Sequence, residues 1–268
     1  MEIKRYKIKH LVLLFIAAVM LYACKKETTS ASNNSNLPVV QAYLVAGKPI
    51  TVNVFSQKAL TDTAKFGPAI KGLKVSISDG SNTIQLTQSS TGAYTYADST
   101  FLATGKTYTL SFSYLTYAVS AKTVMPAKPV NFAATHSGMT IDALLGTSVL
   151  DTLVNLTWTN PDSLRSVLVF NNLDGTSFAA DTRFGSASAN FELNTYQGSS
   201  YPLTQRTFAY YGHYQIMLCN VNVEYINLLS SNTTGSTSSS LSNQPTNVVN
   251  GVGIFTAMQA DTLSFLVQ

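Results

Sequence analysis

Covalent catalysis needs a nucleophile and a base within hydrogen-bond reach of it, and this 268-residue chain offers few of either. Its two cysteines are Cys24 and Cys219, and its three histidines are His10, His136 and His213. His213 and Cys219 invite a Cys-His reading, but six residues along one strand, at about 3.3 Å each, separate them by roughly 20 Å. Cys219 is therefore expected to be a buried core cysteine. A zinc site needs three or four ligands at usable spacing; the His and Cys residues form no such cluster, so no metal and no cofactor are expected. Paired carboxylates for glycoside hydrolysis can meet in space alone, so a hydrolase stays open as a rival reading. Asp79 and Asp174 each precede a glycine, where a turn is their expected role. Gly251-Val252-Gly253 lacks the third glycine and the following helix of a phosphate loop, and reads as a turn before a strand. Tyr210, Tyr211, Tyr214 and Trp158 would form an aromatic ligand platform if exposed, whereas aromatics at strand spacing commonly pack as core or cross-strand pairs.

Cys24 offers a different reaction, acylation of its thiol. A basic start (Lys4, Arg5, Lys7, Lys9) leads into a 13-residue apolar run from Leu11 to Ala23, and Leu21-Tyr22-Ala23-Cys24 has the form of a bacterial lipobox. Such a segment is cut before the cysteine, whose thiol and new amino terminus then carry acyl chains. Thirteen apolar residues are too few to span a membrane, which takes about 20. An ordinary secretory signal shares the charged and apolar regions but not the demand for cysteine. One acyl chain anchors marginally, whereas two or three hold firmly. We expect a lipoprotein signal peptide over residues 1–23, lipidation at Cys24 and a flexible polar tether over residues 24–36. Lys25 rather than Asp after the cysteine favours the outer membrane, by resemblance to lipoprotein sorting rules.

Cleavage would change the charge balance. Of 17 basic and 13 acidic residues, loss of Lys4, Arg5, Lys7, Lys9 and Glu2 leaves 13 and 12. Lys and Arg are scattered singly after Lys26, so no basic stripe for nucleic acid is available. With Cys24 acylated, Cys219 has no disulfide partner, and stability must come from apolar burial.

The elements that must position any site read as strands. Val39–Leu44, Ile50–Phe55, Leu73–Ser78 ending at Asp79-Gly80, Thr83–Thr87, Gly92–Tyr96, Tyr108–Tyr114 and Tyr117–Ala121 are short runs separated by turn residues. They describe an N-terminal β-sandwich of immunoglobulin-like or transthyretin-like type over residues 37–126. Pro126 and Pro129 cannot sit in a central strand and mark a boundary. Residues 127–268 are expected to form a second β-sandwich from Val130–Phe132, Thr152–Trp158, Ser166–Asn171, Tyr214–Val223, Gly253–Phe255 and Thr262–Val267. Tyr225, Leu228 and Leu229 recur at helical spacing, predicting one short helix near 223–231, and residues 230–243 read as a polar loop. The fold class is thus all-β, with two sandwiches after the signal peptide.

One triplet recurs. Asp followed by Ser or Thr and then Ala, Leu or Thr occurs five times, where about one is expected at this composition. It resembles the O-glycosylation acceptor of Bacteroidetes periplasmic proteins, with Thr63, Ser99, Thr152, Ser163 and Thr262 as acceptors. Asp-Ser and Asp-Thr are also turn residues, and both readings stand.

The order of these pieces resembles a known family. The lipobox is followed by Val39-Val40-Gln41-Ala42-Tyr43-Leu44, Lys74 to Gly80, Gly92-Ala93-Tyr94 and Gly105 to Leu110, and the chain closes with Pro245 to Phe255, a Pro-x-Asn through Gly-x-Gly-x-Phe ending. Together these resemble the Bacteroidetes lipoproteins grouped as domain-of-unknown-function family 4249, over residues 24–268. The resemblance implies a cell-envelope lipoprotein, often thought to work beside outer-membrane TonB-dependent transporters. It transfers no catalytic residue. The expectation is a non-enzymatic accessory or binding component held on the membrane by its lipid anchor. A surface adhesin or glycan-binding module, which would need an exposed aromatic patch, is the rival, with the hydrolase behind it.

Overall fold

Alternation at period two sends every second side chain to one face of a strand, and in the first strand Val40, Ala42 and Leu44 are buried while the residues between them are half-buried. The computed structural model describes residues 36–58, 63–64, 66–141, 153–175, 178–180, 188–233 and 245–268. The expected signal peptide, Cys24 and the tether up to residue 35 lie outside the described residues. Leu37–Gln268 form one compact unit.

Its strands run as β1 (Val39–Val45), β2 (Ile50–Phe55), β3 (Ser76–Ser78), β4 (Thr83–Gln85), β5 (Thr87–Gln88), β6 (Tyr94–Tyr96), β7 (Thr107–Tyr114) and β8 (Tyr117–Val124) in the first half. The second half holds β9 (Val130–Ala134), β10 (Gly138–Met139), β11 (Val154–Thr159), β12 (Arg165–Asn172), β13 (Phe191–Tyr196), β14 (Ser200–Leu203) and β15 (Gly212–Val221). A single helix, α1 (Val223–Thr233), precedes β16 (Val248–Val249) and β17 (Val252–Val267). The protein is mostly β, in three sheets.

The largest sheet has nine strands in the order β13-β12-β15-β17-β1-β2-β6-β5, with β10 also pairing β17. Its spine is β17. The first part of β17 runs parallel to β1, from Val252 opposite Val39 to Met258 opposite Val45. The second part runs antiparallel to β15, from Met258 opposite Val221 to Val267 opposite Gly212. Two smaller sheets, β16-β8-β7-β3-β4 and β14-β11-β9, cover this long sheet. Between the five-stranded sheet and the long one lies a core holding Val40, Leu44, Val52 and Phe255 against Ile77, Leu110, Val119 and Val248. Between the three-stranded sheet and the long one lies a second core, with Phe170, Ile216, Leu218 and Phe265 against Val154, Leu156, Trp158 and Leu203. Each pair of sheets is a sandwich, as the alternating patterns require.

The two sandwiches are not consecutive blocks of sequence. Val248, Phe255 and Ala257, from the end of the chain, complete the first core. Phe255, Ala257, Leu263, Phe265 and Val267 all lie on one face of β17, so both covering sheets sit on the same side of the long sheet. The gap between them is filled by the proline-containing connection 125–129. Gln259 Nε2 donates to Pro126 O at 2.8 Å, Asn220 Nδ2 donates to Ala127 O at 2.9 Å, and Lys128 pairs with Asp261 at 3.4 Å. The sequence pattern predicts two strands, Gly253–Phe255 and Thr262–Val267; the structure has one. The polar residues Gln259 and Asp261 interrupt the apolar pattern because they face the connection, not because the strand turns.

Gly253 explains the Gly-x-Gly spacing of this region. With φ of 105° and a would-be Cβ only 2.1 Å from Val40 O, it lets β17 lie against β1 where any side chain would collide. The helix expected near 223–231 is present as α1, on the opposite face of the long sheet from both covering sheets. Its Tyr225, Ile226 and Leu229 pack on Val167, Cys219 and Val221. Strands β10, β13, β14 and β16 have no counterpart in the sequence reading; β10 and β16 are two residues each, and β13 carries Glu and Asn within it.

Because one strand carries both cores, unfolding should be a single transition. Phe265→Ala in the second core is expected to cost about 3–5 kcal/mol and to lower that one transition as a whole, read by calorimetry. Two separable transitions would contradict the shared-strand arrangement.

Candidate functional site

Three regions of the unit could face a partner: a cleft where the sandwiches meet, and the two poles of the long sheet. The cleft, about 540 Å³, is lined by Lys122, Val124, Asp162, Arg165, Gln197 and Asn222 among others. Its floor is a closed hydrogen-bond hub. Thr123, buried at 4 % exposure, donates through Oγ1 to Glu224 Oε1 at 2.7 Å and accepts from Asn222 Nδ2 at 2.9 Å and the Ala257 amide at 3.1 Å. That is the full capacity of a hydroxyl, one donor and two lone pairs. Thr256 Oγ1 also donates to Glu224 Oε1, at 3.2 Å, and Asn222 Nδ2 reaches Val124 O at 2.7 Å. The Asn222 carbonyl meanwhile accepts the first amide bonds of α1, from Tyr225 and Ile226. The polar groups of the cleft floor thus hold β8, β17 and α1 together, and its charged rim mixes both signs.

The pole farthest from β1 is built by the β12 and β15 ends. Asp174 Oδ2 accepts the His213 amide at 2.8 Å and faces His213 Nδ1 at 2.9 Å, and these hydrogen bonds hold the carboxyl below the usual range. Asn172 Oδ1 accepts the Asp174 amide at 2.8 Å. Gly212 makes the cluster possible: with φ of 131°, its would-be Cβ meets Asp174 Oδ2 at 3.0 Å and Asn172 Oδ1 at 3.1 Å. Asp174 therefore orients a histidine in addition to its turn. Beside this pair, Leu173 and Phe178 are exposed at 65 % and 69 %.

His213 and Cys219 do not meet. Both project to the outer face of β15, at opposite ends, and Cys219 lies beneath α1. Burial pushes its thiol up to about 12, with the Glu192 carboxylate adding to the effect, so it is a poor nucleophile. The aromatic platform does not form either. Trp158 and Tyr214 are core residues, at 5 % and 1 % exposure, and Tyr211 packs half-buried against them. Tyr214 OH donates to Tyr210 O at 2.9 Å, and Tyr211 OH to Ile141 O at 3.3 Å. His136 is exposed in the turn between β9 and β10. Asp79 caps the β3–β4 turn, accepting from Ser81 and Asn82, and pairs with Lys106 at 2.7 Å. The Lys106 ammonium and then those amides hold its carboxyl far below the usual range.

Of the acceptor residues, Thr63, Ser163 and Thr262 are exposed and Ser99 is half-buried; Thr152 lies outside the described residues. The turn reading fits Asp98, whose Oδ1 accepts from the Thr100 amide at 2.8 Å and the Thr100 hydroxyl at 2.7 Å. It does not fit Asp261-Thr262, which lies within β17 with Thr262 opposite Met217. The Asp174–His213 pair escapes a reading by sequence because its members are 39 residues apart. Among the described residues no group of three or more His, Cys, Asp or Glu side chains could hold a metal ion.

Two β-sandwiches sharing a strand define a β scaffold, and among the described residues His213 and Cys219 do not converge. Residues 26–264 match the family described as Domain of unknown function (DUF4249), and the chain belongs to that family. No curated protein matches it. Among solved structures it is similar to the FN1–FN3 domains of chicken CNTN1, at 11 % identity and a TM-score of 0.28, over 70 % of this chain and 59 % of that one. This chain therefore matches less than two thirds of that structure's length. Among the described residues no helix is long and apolar enough to cross a membrane.

Cys219 should resist a thiol reagent at pH 8 in the folded protein, measured with Cys24→Ser, and react fully in denaturant; rapid labelling of the native state would contradict its burial. Asn222→Ala should destabilise by about 1–3 kcal/mol, because it strips partners from Thr123 and the carbonyls at the junction. A depressed folded-state carboxyl stabilises fully above its unfolded pKa and loses that contribution as pH falls below about 4. Asp79→Asn should therefore flatten the acid limb of the stability–pH curve, followed by thermal melting.

Proposed function

We propose that this protein is a non-enzymatic, lipid-anchored accessory component of the outer membrane, docking onto a TonB-dependent transporter. Membership of the family, the lipobox ending at Cys24 and the pattern of the poles support the reading. The observation that carries it is the separation of the poles. The chain joins the fold at Pro38, whose carbonyl accepts the Val252 amide at the start of β17. Leu173, Phe178 and the Asp174–His213 pair sit at its far end, where Leu173 bonds the His213 carbonyl. A strand of 16 residues at about 3.3 Å each spans roughly 50 Å between them. A protein tethered at one pole would present the other, with its exposed apolar side chains, to a neighbour.

The rivals fit less well. A glycan platform wants several exposed aromatics together, but Phe178 lies at the far pole, Tyr196 beside the junction opposite Ser166, and Phe66 stacked on Phe55 at the end of β2. A hydrolase wants an activated nucleophile beside the Asp174–His213 pair, and Cys219 is six residues along the strand under α1. O-glycosylation at Thr63, Ser163 and Thr262 is compatible with their exposure and remains part of the proposal.

The test is recovery of the tagged protein from native membranes. A TonB-dependent barrel should copurify, and Leu173→Asp with Phe178→Asp should abolish the association while Lys122→Glu in the cleft leaves it intact. Consistent recovery without a barrel would overturn the transporter assignment. A palmitate analogue should label the protein, and Cys24→Ser should remove the label and release the protein from membranes.

A further inference from the structure

The pole where the chain joins the fold has a chemistry of its own. The β7–β8 hairpin ends there, its tip projecting past Ala118, whose carbonyl accepts from Asn250 Nδ2 at 2.8 Å. The tip reads Tyr114-Leu115-Thr116-Tyr117, and Leu115 is 68 % exposed with φ of 53°. A tight hairpin turn with left-handed φ favours Gly, Asn or Asp. Leucine there is costly in backbone conformation, and nothing in the core uses its side chain. The half-buried tyrosines flanking it have the amphipathic rings that sit at membrane interfaces. Val249, at 60 % exposure, adds a second apolar side chain on the neighbouring strand.

Charge is distributed to match. Lys74 lies beside Ser113 and Ala118 in the groove next to the tip. The Lys71 stem lies against Gly92, where Ile70 bonds Val54 near the end of β2. Lys58, which bonds the Ala64 carbonyl, follows the same end of β2. All three lysines are exposed. The described acids of the first sandwich lie at its other end: Asp79 bonds Lys106 at the start of β7, and Asp98 follows β6 past the Tyr96–Ile50 pair. Among the described residues this pole is therefore cationic and apolar, with no acid.

We infer that this pole is an interfacial docking surface for an anionic lipid membrane, with Leu115 inserted among the headgroups and Lys71 and Lys74 on their phosphates. The occupant is argued from the place where the chain joins the fold, which is where an acylated Cys24, 13 residues before Leu37, would tie it, and from the charge complementarity. The inference rests on the anchored reading for its biological setting, but the surface acts without the acyl chains. It would orient the sandwich pair upright, with Leu173 and Phe178 turned away from the bilayer.

The experiment uses chain 24–268 with Cys24→Ser, which keeps the whole compact unit and carries no lipid. Sedimentation with vesicles of phosphatidylcholine containing one third phosphatidylglycerol should show binding that neutral phosphatidylcholine vesicles lack and that raised salt weakens. A lysine near an anionic surface contributes about fivefold in affinity, so Lys71→Glu with Lys74→Glu should weaken binding at least twentyfold. Leu115→Asp should weaken it severalfold, and Leu115→Asn, which suits the turn, should do so without lowering the melting temperature. Leu173→Asp at the far pole should change nothing. Equal affinity for both vesicle types, no binding, or binding indifferent to these variants would overturn the inference. Vesicle binding without Cys24 labelling in cells would sink the anchor alone; labelling without vesicle binding would sink this surface alone.

Discussion

The pairing of β17 with both β1 and β15 is the constraint on which the molecule depends. A strand that is parallel to one neighbour over Val252–Met258 and antiparallel to another over Met258–Val267 belongs to two sandwiches at once. Its Phe255 and Ala257 complete one core and its Phe265 and Val267 the other. Neither core is filled without it. The close approach of β17 to β1 requires the bare backbone of Gly253, and the change of partner near Met258 is braced from both faces. On one side Gln259 and Asp261 hold the connection between the halves; on the other, α1 lies across the sheet.

That arrangement gives several chemically capable side chains structural work. Cys219 packs under the helix, Trp158 and Tyr214 fill the second core, and Glu224, Asn222 and Thr123 saturate one another at the junction. A buried hydroxyl with all three of its hydrogen bonds made is structural, because moving any partner would strand a polar group out of water. The two ends differ in what the fold leaves outside. One end combines lysines, tyrosines and an exposed leucine; the other combines Leu173 and Phe178 with an oriented histidine. Because β17 runs unbroken from one end to the other, the two surfaces lie on one continuous sheet, the geometry that the proposed membrane-and-partner reading uses.

Much of this was legible in the sequence, and the reasons differ by element. Strands with one face in a core, such as β1, β7 and β11, show clean alternation, and α1 shows the change of period on leaving β15. The turn at Asp79-Gly80 and the core placement of Cys219 followed from residue type and spacing. The pattern of β17 reads as two strands because its middle is polar for a tertiary reason, contact with the connection 125–129, that no local pattern carries. Strands β13 and β14 leave little trace because a short strand with a half-exposed face has little periodicity to read. The Asp174–His213 pair and the Thr123 hub join residues 39 and about 100 positions apart, and the charge asymmetry of the first sandwich emerges once its ends are known.

Native-state hydrogen exchange along β17 tests the shared-strand account most directly. Amides on both sides of Met258 should exchange together, only through global unfolding, with the same dependence on denaturant. If the amides of Leu263 to Val267 opened independently of those of Ile254 to Ala257, the two sandwiches would be separate folding units, and the fixed relation between the poles would fail.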